Sequence, residues 1–537
     1  MAKNKQKDIL VTTALPYANG PIHLGHMLEH VQTDIFVRAK KLQGHNILYF
    51  CADDAHGAPI MIKAAECNED PEKFTKKIQK EHIEDFMKFS IDYTNYHTTH
   101  SKENKDIVNN IYECLCKNNL VYTKEIEQFF DETESMFLAD RYIIGTCPKC
   151  KAENQYGDAC EKCGSTYPTE SVINPKSILS STTPILKKTD QVFFKLSKFK
   201  QILKNFINKA SLQPSVKSKL NEWLKGELKD WNISRDKPYF GFEIPDQKDK
   251  YFYVWLDAPV GYIASTKNWA DQNGVNYLDL WSKDSQYEIH HFIGKDIIYF
   301  HGLFWPAVLY YSDYKIPNRI HAHGFLSINS EKMSKSKGTF ITAKNFSKNQ
   351  NTDLLRYYFA SKLNSKIEDI DLDFDDYVQK INSNLVGKLF NIGSRLEPFI
   401  RKNDYNISNK IDKDFYHEQL LKYDFIIQSY NANEYSKAIN SILSIADDIN
   451  SYINHKKPWT LDNLEAIEVS STIINLYKDL CILINPVMPN LSNKALNQFN
   501  IEDPDFTILG KDLGDTKINN YVPILDRLDT ININDLN

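Results

Sequence analysis

Residues 8–51 read as a buried strand, a loop, a helix and a second strand, and that order leaves few folds open. Ile9-Leu10-Val11 carry a strand over 8–13, and Pro16, Gly20 and Pro21 then break the chain. Leu28, Val31, Ile35, Ala39 and Leu42 recur at helical spacing from about Gly25 to Gln43, Gly44 ends the helix, and a strand from Ile47 to Cys51 follows at once. This order predicts a right-handed parallel unit, the element of a doubly wound α/β sheet, whose ligands bind beyond the carboxyl ends of the strands. The loop holding His23-Leu24-Gly25-His26 lies at that edge.

A chain of 537 residues is too long for one core. Strand-like runs return at Phe252-Tyr253-Val254-Trp255, at Glu288 to Ile293 and at Ile320 to His323, while 125–235 interrupts the pattern and reads as an insertion. Beyond about 385 glycine and proline thin out and amphipathic helical patterns dominate. The expected division is 1–124 and 236–325 as two halves of the sheet domain, 125–235 as the insertion, 326–385 as a linking region, and 386–537 as an α-helical bundle.

The insertion holds Cys147-Pro-Lys-Cys150 and Cys160-Glu-Lys-Cys163, two CxxC pairs separated by turn formers Asn154, Gly157 and Asp158. Four thiolates at that spacing suit one tetrahedral zinc, and a complete set of cysteine ligands leaves no open position, so the ion would be structural. The other cysteines of the nine are scattered, which fits a reducing cytoplasm better than a disulfide framework. A formal net charge of -5 excludes a generally basic nucleic-acid coat and requires any polyanion to bind on local patches. No apolar run approaches a membrane span, and the Met1 to Lys7 start with its short apolar stretch is a frayed end entering a strand.

His23 and His26 flank a glycine at a helix start, where imidazole N–H groups and free backbone amides would face one volume. Lys332-Met333-Ser334-Lys335-Ser336 follows a strand and a turn, and its lysines can act as point-charge clamps on a developing pyrophosphate. Together the two strings predict a divided triphosphate site. No serine-histidine-acid or cysteine-histidine constellation accompanies them.

The same strings carry a resemblance. The chain resembles the class I aminoacyl-tRNA synthetases, whose signatures read HIGH and KMSKS, here HLGH and KMSKS. It is similar to the bacterial methionyl-tRNA synthetases over essentially its whole length, through Ala14 to Gly20, Cys51 to Gly57, Tyr253 to Pro259 and Phe292 to Asp296. The resemblance implies a Rossmann-like catalytic domain with a zinc-knuckle insertion and an α-helical anticodon-binding domain. It implies activation of L-methionine by ATP with Mg2+, then transfer to the 3'-terminal adenosine of elongator and initiator tRNA(Met). His23, His26, Lys332 and Lys335 would hold the triphosphate as catalytic residues, and Gly294 and Asp296 the rest of ATP. Methionine would lie among Ala14, Leu15, Tyr17, Asp54, Trp255, Ala258, Pro259, Tyr262, Ile297 and His301, with Asp54 on the ammonium, and Tyr262 and His301 donating weakly to the sulfur. Asn391, Arg395, Asn450, Pro458 and Trp459 would read the anticodon. Asp53 is expected to be structural. The alternatives are another class I enzyme such as the cysteinyl one, a small nucleotidyltransferase with only the first motif, or a non-catalytic tRNA-binding relative. The insertion is too short for a large editing domain, and a complete chain lacking the family's C-terminal dimerisation module would be a monomer.

Overall fold

The computed structural model describes residues 6–138, 142–157, 160, 162, 163, 165, 167, 169–333 and 339–536. At its centre is a six-stranded, wholly parallel sheet of β1 (Asp8–Thr13), β2 (Asn46–Asp53), β3 (Asn95–Thr98), β4 (Ser211–Leu212), β5 (Glu288–Gly294) and β6 (Arg319–His323). The spatial order is β4-β6-β5-β1-β2-β3. β1 pairs with β2 on one side and β5 on the other, Leu10 lying opposite Leu48 and Ile289. Ile9, Leu10 and Val11 are all buried, which is why this strand reads as a continuous apolar run and not as an alternation. The strand order reverses at β1, and that reversal opens a crevice at the carboxyl ends of β1 and β5.

Helix α1 (Leu24–Leu42) joins β1 to β2 and is buried along most of its length, Glu29, Gln32, Thr33 and Asp34 included. Histidines fix its start. His23 is the N-cap, its side chain accepting from the Gly25 amide at 3.1 Å, and the His26 side chain accepts from the His23 amide at 3.4 Å. This is a capping box made from imidazoles in place of the usual hydroxyl and carboxylate. At the other end Lys40 and Lys41 face the negative pole of the helix, and Gly44 leaves it with a φ of 80°.

The insertion departs from the expected boundaries. An antiparallel ribbon of Val121–Asp131 against Ile185–Phe194 begins before residue 125 and carries the cysteine segment beyond its far end. The chain is back in the central sheet at β4, well before 235, and Gln213 pins it there by accepting from the Ala322 amide at 2.7 Å. A two-residue strand has no period to read. Phe252-Tyr253-Val254-Trp255 is likewise not a strand of the central sheet. Lys250–Phe252 pairs with Ser234–Asp236 and bridges to Glu243 outside that sheet, and Val254–Asp257 turns into a helix. A short apolar run fits a buried strand and a buried helix equally well.

The C-terminal region is helical, with α2 (Thr352–Lys362), α3 (Asn391–Lys402), α4 (Tyr435–Lys456) and α5 (Asn463–Ile484) as its main members. It does not pack as a separate body. One apolar core runs from Val31 and Ile35 through Leu354 and Leu389 to Ile442 and Leu480. Arg356, fully buried, fastens the regions together: it donates to Asp34 of α1 at 2.7 Å, to the Phe89 carbonyl at 3.0 Å, and to the carbonyls of Pro486 and Val487 at 2.9 and 2.8 Å. These four hydrogen bonds offset the cost of burying a guanidinium. Among the described residues no helix is long and apolar enough to cross a membrane.

Candidate active site

A cavity of about 1040 Å³ opens where β1, β5 and β6 end. Ala14, Leu15, Tyr17, Asp54, Trp255, Ala258, Pro259, Tyr262, Ile297 and His301 line it, together with His23, His26, Gly294, Asp296 and Lys332. Lys335 lies outside the described residues.

At one end the two histidines stack with ring centroids 3.7 Å apart. Burial pushes His23 down to about 4 and His26 well below its ordinary value, so both rings are neutral at physiological pH. Each Nδ1 accepts a backbone N–H, which leaves the ring proton on Nε2 as an outward donor. The backbone amides expected to be free for phosphate are therefore partly spent: those of His23 and Gly25 close the cap. Gly25 is required sterically, because a Cβ there would stand 2.9 Å from His23 Cε1 and 2.5 Å from Met333 Cε. The two sequence strings are also stitched together. Leu24 N donates to the Ile341 carbonyl at 3.1 Å, and Ala343 N donates to the Ile22 carbonyl at 2.9 Å. Lys332 sits in a two-residue strand, and its carbonyl accepts from the Thr339 hydroxyl at 3.0 Å.

The other end combines aromatic rings with a few polar groups, Asp54 among them. Asp54 is partly buried, and its Oδ1, itself buried, has no hydrogen-bond partner among the described residues. Burial first, and the charge of Asp257 second, push its carboxyl well above the usual range. A bare carboxylate oxygen in such a place calls for a cationic ligand. Trp255 lies flat on Phe300 at 3.6 Å and forms an aromatic wall. The Tyr262 hydroxyl meets His301 Nε2 at 2.9 Å, while His301 Nδ1 donates to the Ile297 carbonyl at 3.1 Å. With Nδ1 protonated, Nε2 accepts from the tyrosine. Both hydrogens expected to reach a ligand sulfur are thus committed to protein partners in this arrangement. Asp53 instead accepts from His82 Nδ1 at 2.7 Å and from Tyr96, a structural role as expected.

Sequence reasoning missed Glu29, His323 and Arg235. Glu29 Oε1 accepts from the Thr13 hydroxyl at 2.7 Å and the Ala14 amide at 2.6 Å, and Oε2 faces His323 Nε2 at 3.1 Å. One carboxylate thereby ties the ends of β1 and β6 to α1. Burial opposes a charge on His323, but the Glu29 contact outweighs it and raises the imidazole. The spacing of His26, Glu29 and His30 on one helix face was the available signal. Arg235, 3.7 Å over the Tyr253 ring, lines the cavity without any sequence cue of its own.

Away from the cavity, the Sγ atoms of Cys147, Cys150, Cys160 and Cys163 lie within 4.8 Å of one another. Cys147 to Cys163 is 3.9 Å and Cys150 to Cys160 is 3.5 Å. Four sulfurs at about 2.3 Å from one zinc would sit roughly 3.8 Å apart. The amides of Cys150 and Cys163 point at the sulfurs of Cys147 and Cys160, each at 3.4 Å. This cluster can hold a metal ion, and none of its members lines the cavity.

In the helical region Asn391 and Arg395 lie on α3 and Asn450 on α4. Arg395 donates to the Asn450 side chain at 2.8 Å and also to Asn454. Pro458 is buried, whereas Trp459 is 56% exposed on a short turn just past α4.

Residues 9–397 match the family model described as tRNA synthetases class I (M). The chain belongs to the class I tRNA synthetases, methionyl (M) branch. Among solved structures this synthetase is similar to Mycobacterium tuberculosis methionyl-tRNA synthetase in complex with methionyl-adenylate. The TM-score is 0.80 at 22% identity, with 97% of this chain and 99% of that one covered. A second adenylate-bound structure from the same organism gives 0.79 at 21% identity, covering 96% and 100%, and the free-state form 0.73 at 20%, covering 98% and 99%. The synthetase therefore shares their fold from end to end.

Proposed function

We propose that the chain is a methionine-tRNA ligase, joining methionine and ATP to methionyl-adenylate with release of pyrophosphate and then charging tRNA(Met), elongator and initiator alike. The observation that carries this reading is the buried Oδ1 of Asp54, without a partner among the described residues, at one end of a cavity whose other end is rimmed by His23, His26 and Lys332. Asp54 takes the substrate ammonium, and the aromatic rings of Tyr17 and Trp255, the latter backed by Phe300, take the thioether, whose contacts with rings contribute about 0.3 to 1.5 kcal/mol each. The substrate carboxylate is thereby aimed toward the α-phosphate of an ATP whose ribose lies against Asp296. Gly294 makes room for that carboxylate, since a Cβ there would stand 2.6 Å from Asp296 Oδ1. His23 and His26 donate from Nε2 to the triphosphate, and Lys332 and Lys335 follow the charge that builds on the departing pyrophosphate. Mg2+ shares that charge when bound. No nucleophilic side chain is needed, because the carboxylate is itself the nucleophile.

The cysteine cluster is read as a structural zinc site, and the cytoplasm is the compartment this reaction implies. ATP-pyrophosphate exchange tests the reading. Exchange should depend on methionine and be far lower with cysteine, leucine or isoleucine; exchange with another amino acid, or none, refutes it. Asn391, Arg395, Asn450, Pro458 and Trp459 are read as the anticodon surface. A stacked base contributes about 1 to 3 kcal/mol, so Trp459→Ala should cut charging of a CAU-anticodon tRNA about 5- to 150-fold. Exchange should stay unchanged, and equal loss of both activities would contradict the split between the two surfaces.

A further inference from the structure

A chain of buried polar groups runs from the amino-acid end of the cavity to the surface, and the reaction as described leaves it idle. Asp257 is fully buried. Its Oδ2 accepts from His56 Nδ1, and its Oδ1 has no hydrogen-bond partner among the described residues. His56 Nε2 meets His100 Nδ1 at 2.9 Å, and His100 Nε2 stands 4.0 Å from Glu72 at the surface. Phe240 and Phe242 pack against both imidazoles. The backbone amide of His56 faces the Asp54 carboxylate, so one residue touches both buried acids. Across the pocket Asn104 donates to the Asp257 carbonyl at 3.3 Å.

Two carboxylates that both touch His56, each with a buried oxygen that has no partner among the described residues, are costly unless a cation comes between or beside them. The ammonium group of an amino acid is such a cation. We propose that His56 is a positioning residue: its hydrogen bond to Asp257 favours the carboxylate against the burial that opposes it, so that a second anion can stand behind Asp54 toward the substrate ammonium. This rests on the activation reading above. The other ionisable groups facing the pair are Asp53, Tyr17, Tyr239, Tyr253 and Arg235, and those facing His100 are Asp70, Glu72 and Lys76.

The sign of the effect follows from the pair. The charge on Asp257 makes Asp54 harder to ionise, so removing it lets Asp54 ionise at lower pH. In Asp257→Asn, the acid limb of kcat/KM for methionine in exchange should move to lower pH. On the alkaline side of that limb, KM for methionine should rise about tenfold or more with the loss of the second charge. KM for ATP should not change, which also reports an intact fold. His56→Leu strips Asp257 of its donor and should reproduce both effects, while His56→Asn, which retains an N–H for Asp257, should restore the original limb. An unshifted limb with a uniform loss at every pH, or an equal rise in KM for ATP, overturns the inference alone. Absence of methionine-dependent exchange in the unaltered chain overturns the activation reading and the inference with it.

Discussion

Asp54→Asn is expected to lower kcat/KM for methionine in ATP-pyrophosphate exchange by about 10²- to 10³-fold, from the roughly 3 to 5 kcal/mol lost when one partner of a buried charge pair is removed. The same substitution should stabilise the free protein. Asp54 is an acid whose carboxyl is pushed well up by burial, so above the ordinary carboxylate range its ionised form costs folding free energy, and an amide of the same shape does not. A fall in activity together with a rise in Tm is thus the signature of a residue kept for its ligand. Loss of both would make Asp54 a structural residue. The acid limb of the methionine profile should also disappear in the Asn variant, since the group that titrates is gone.

His26→Ala should lower kcat for adenylate formation by about 10²- to 10³-fold, the usual loss for one preorganised donor to developing oxyanion charge. Single-turnover measurement with saturating methionine and ATP isolates that step. Because burial keeps His23 neutral down to about pH 4 and His26 lower still, neither ring should contribute a limb to the profile between pH 6 and 8. A limb in that range abolished by His26→Ala would mean that an imidazolium, not an imidazole, acts there. Part of any loss could come from the helix start, as His26 closes the cap of α1. His26→Gln separates the two effects: glutamine is a normal partner in a capping box and keeps an N–H donor, so it should recover the stability and part of the rate.

The sequence made the first strand, α1 and the phosphate strings legible because each obeys a local rule. Leu28, Val31 and Ile35 keep helical period, Gly44 stops it, and the cysteine pairs announce their spacing. What it could not disclose depends on chain segments meeting from far apart. Glu29 looks like one more polar residue on a helix until β6 brings His323 to it. His56 and Asp257 are some two hundred positions apart, and neither has a neighbour that hints at the other. The Phe252 to Trp255 run was misread because its aromatic density satisfies strand and helix alike, and only packing decides. Of the candidate site, the lining residues were legible through the family pattern. Which of their hydrogens are already committed, as at Tyr262 and His301, was not.

The hydrogen bonds that stitch Ile22 and Leu24 to Ile341 and Ala343 bear on biosynthesis. A ribosome adds about 5 to 20 residues per second, so the first motif waits roughly 15 to 60 s for its counterpart to emerge. During that interval β1 can pair with β2 and α1 can cover it, yet no triphosphate site exists. A prematurely released fragment ending before residue 339 would carry an amino-acid pocket without the means to spend ATP. On the proposed reaction, the two halves of the triphosphate site can meet only when nearly two-thirds of the polypeptide has been made.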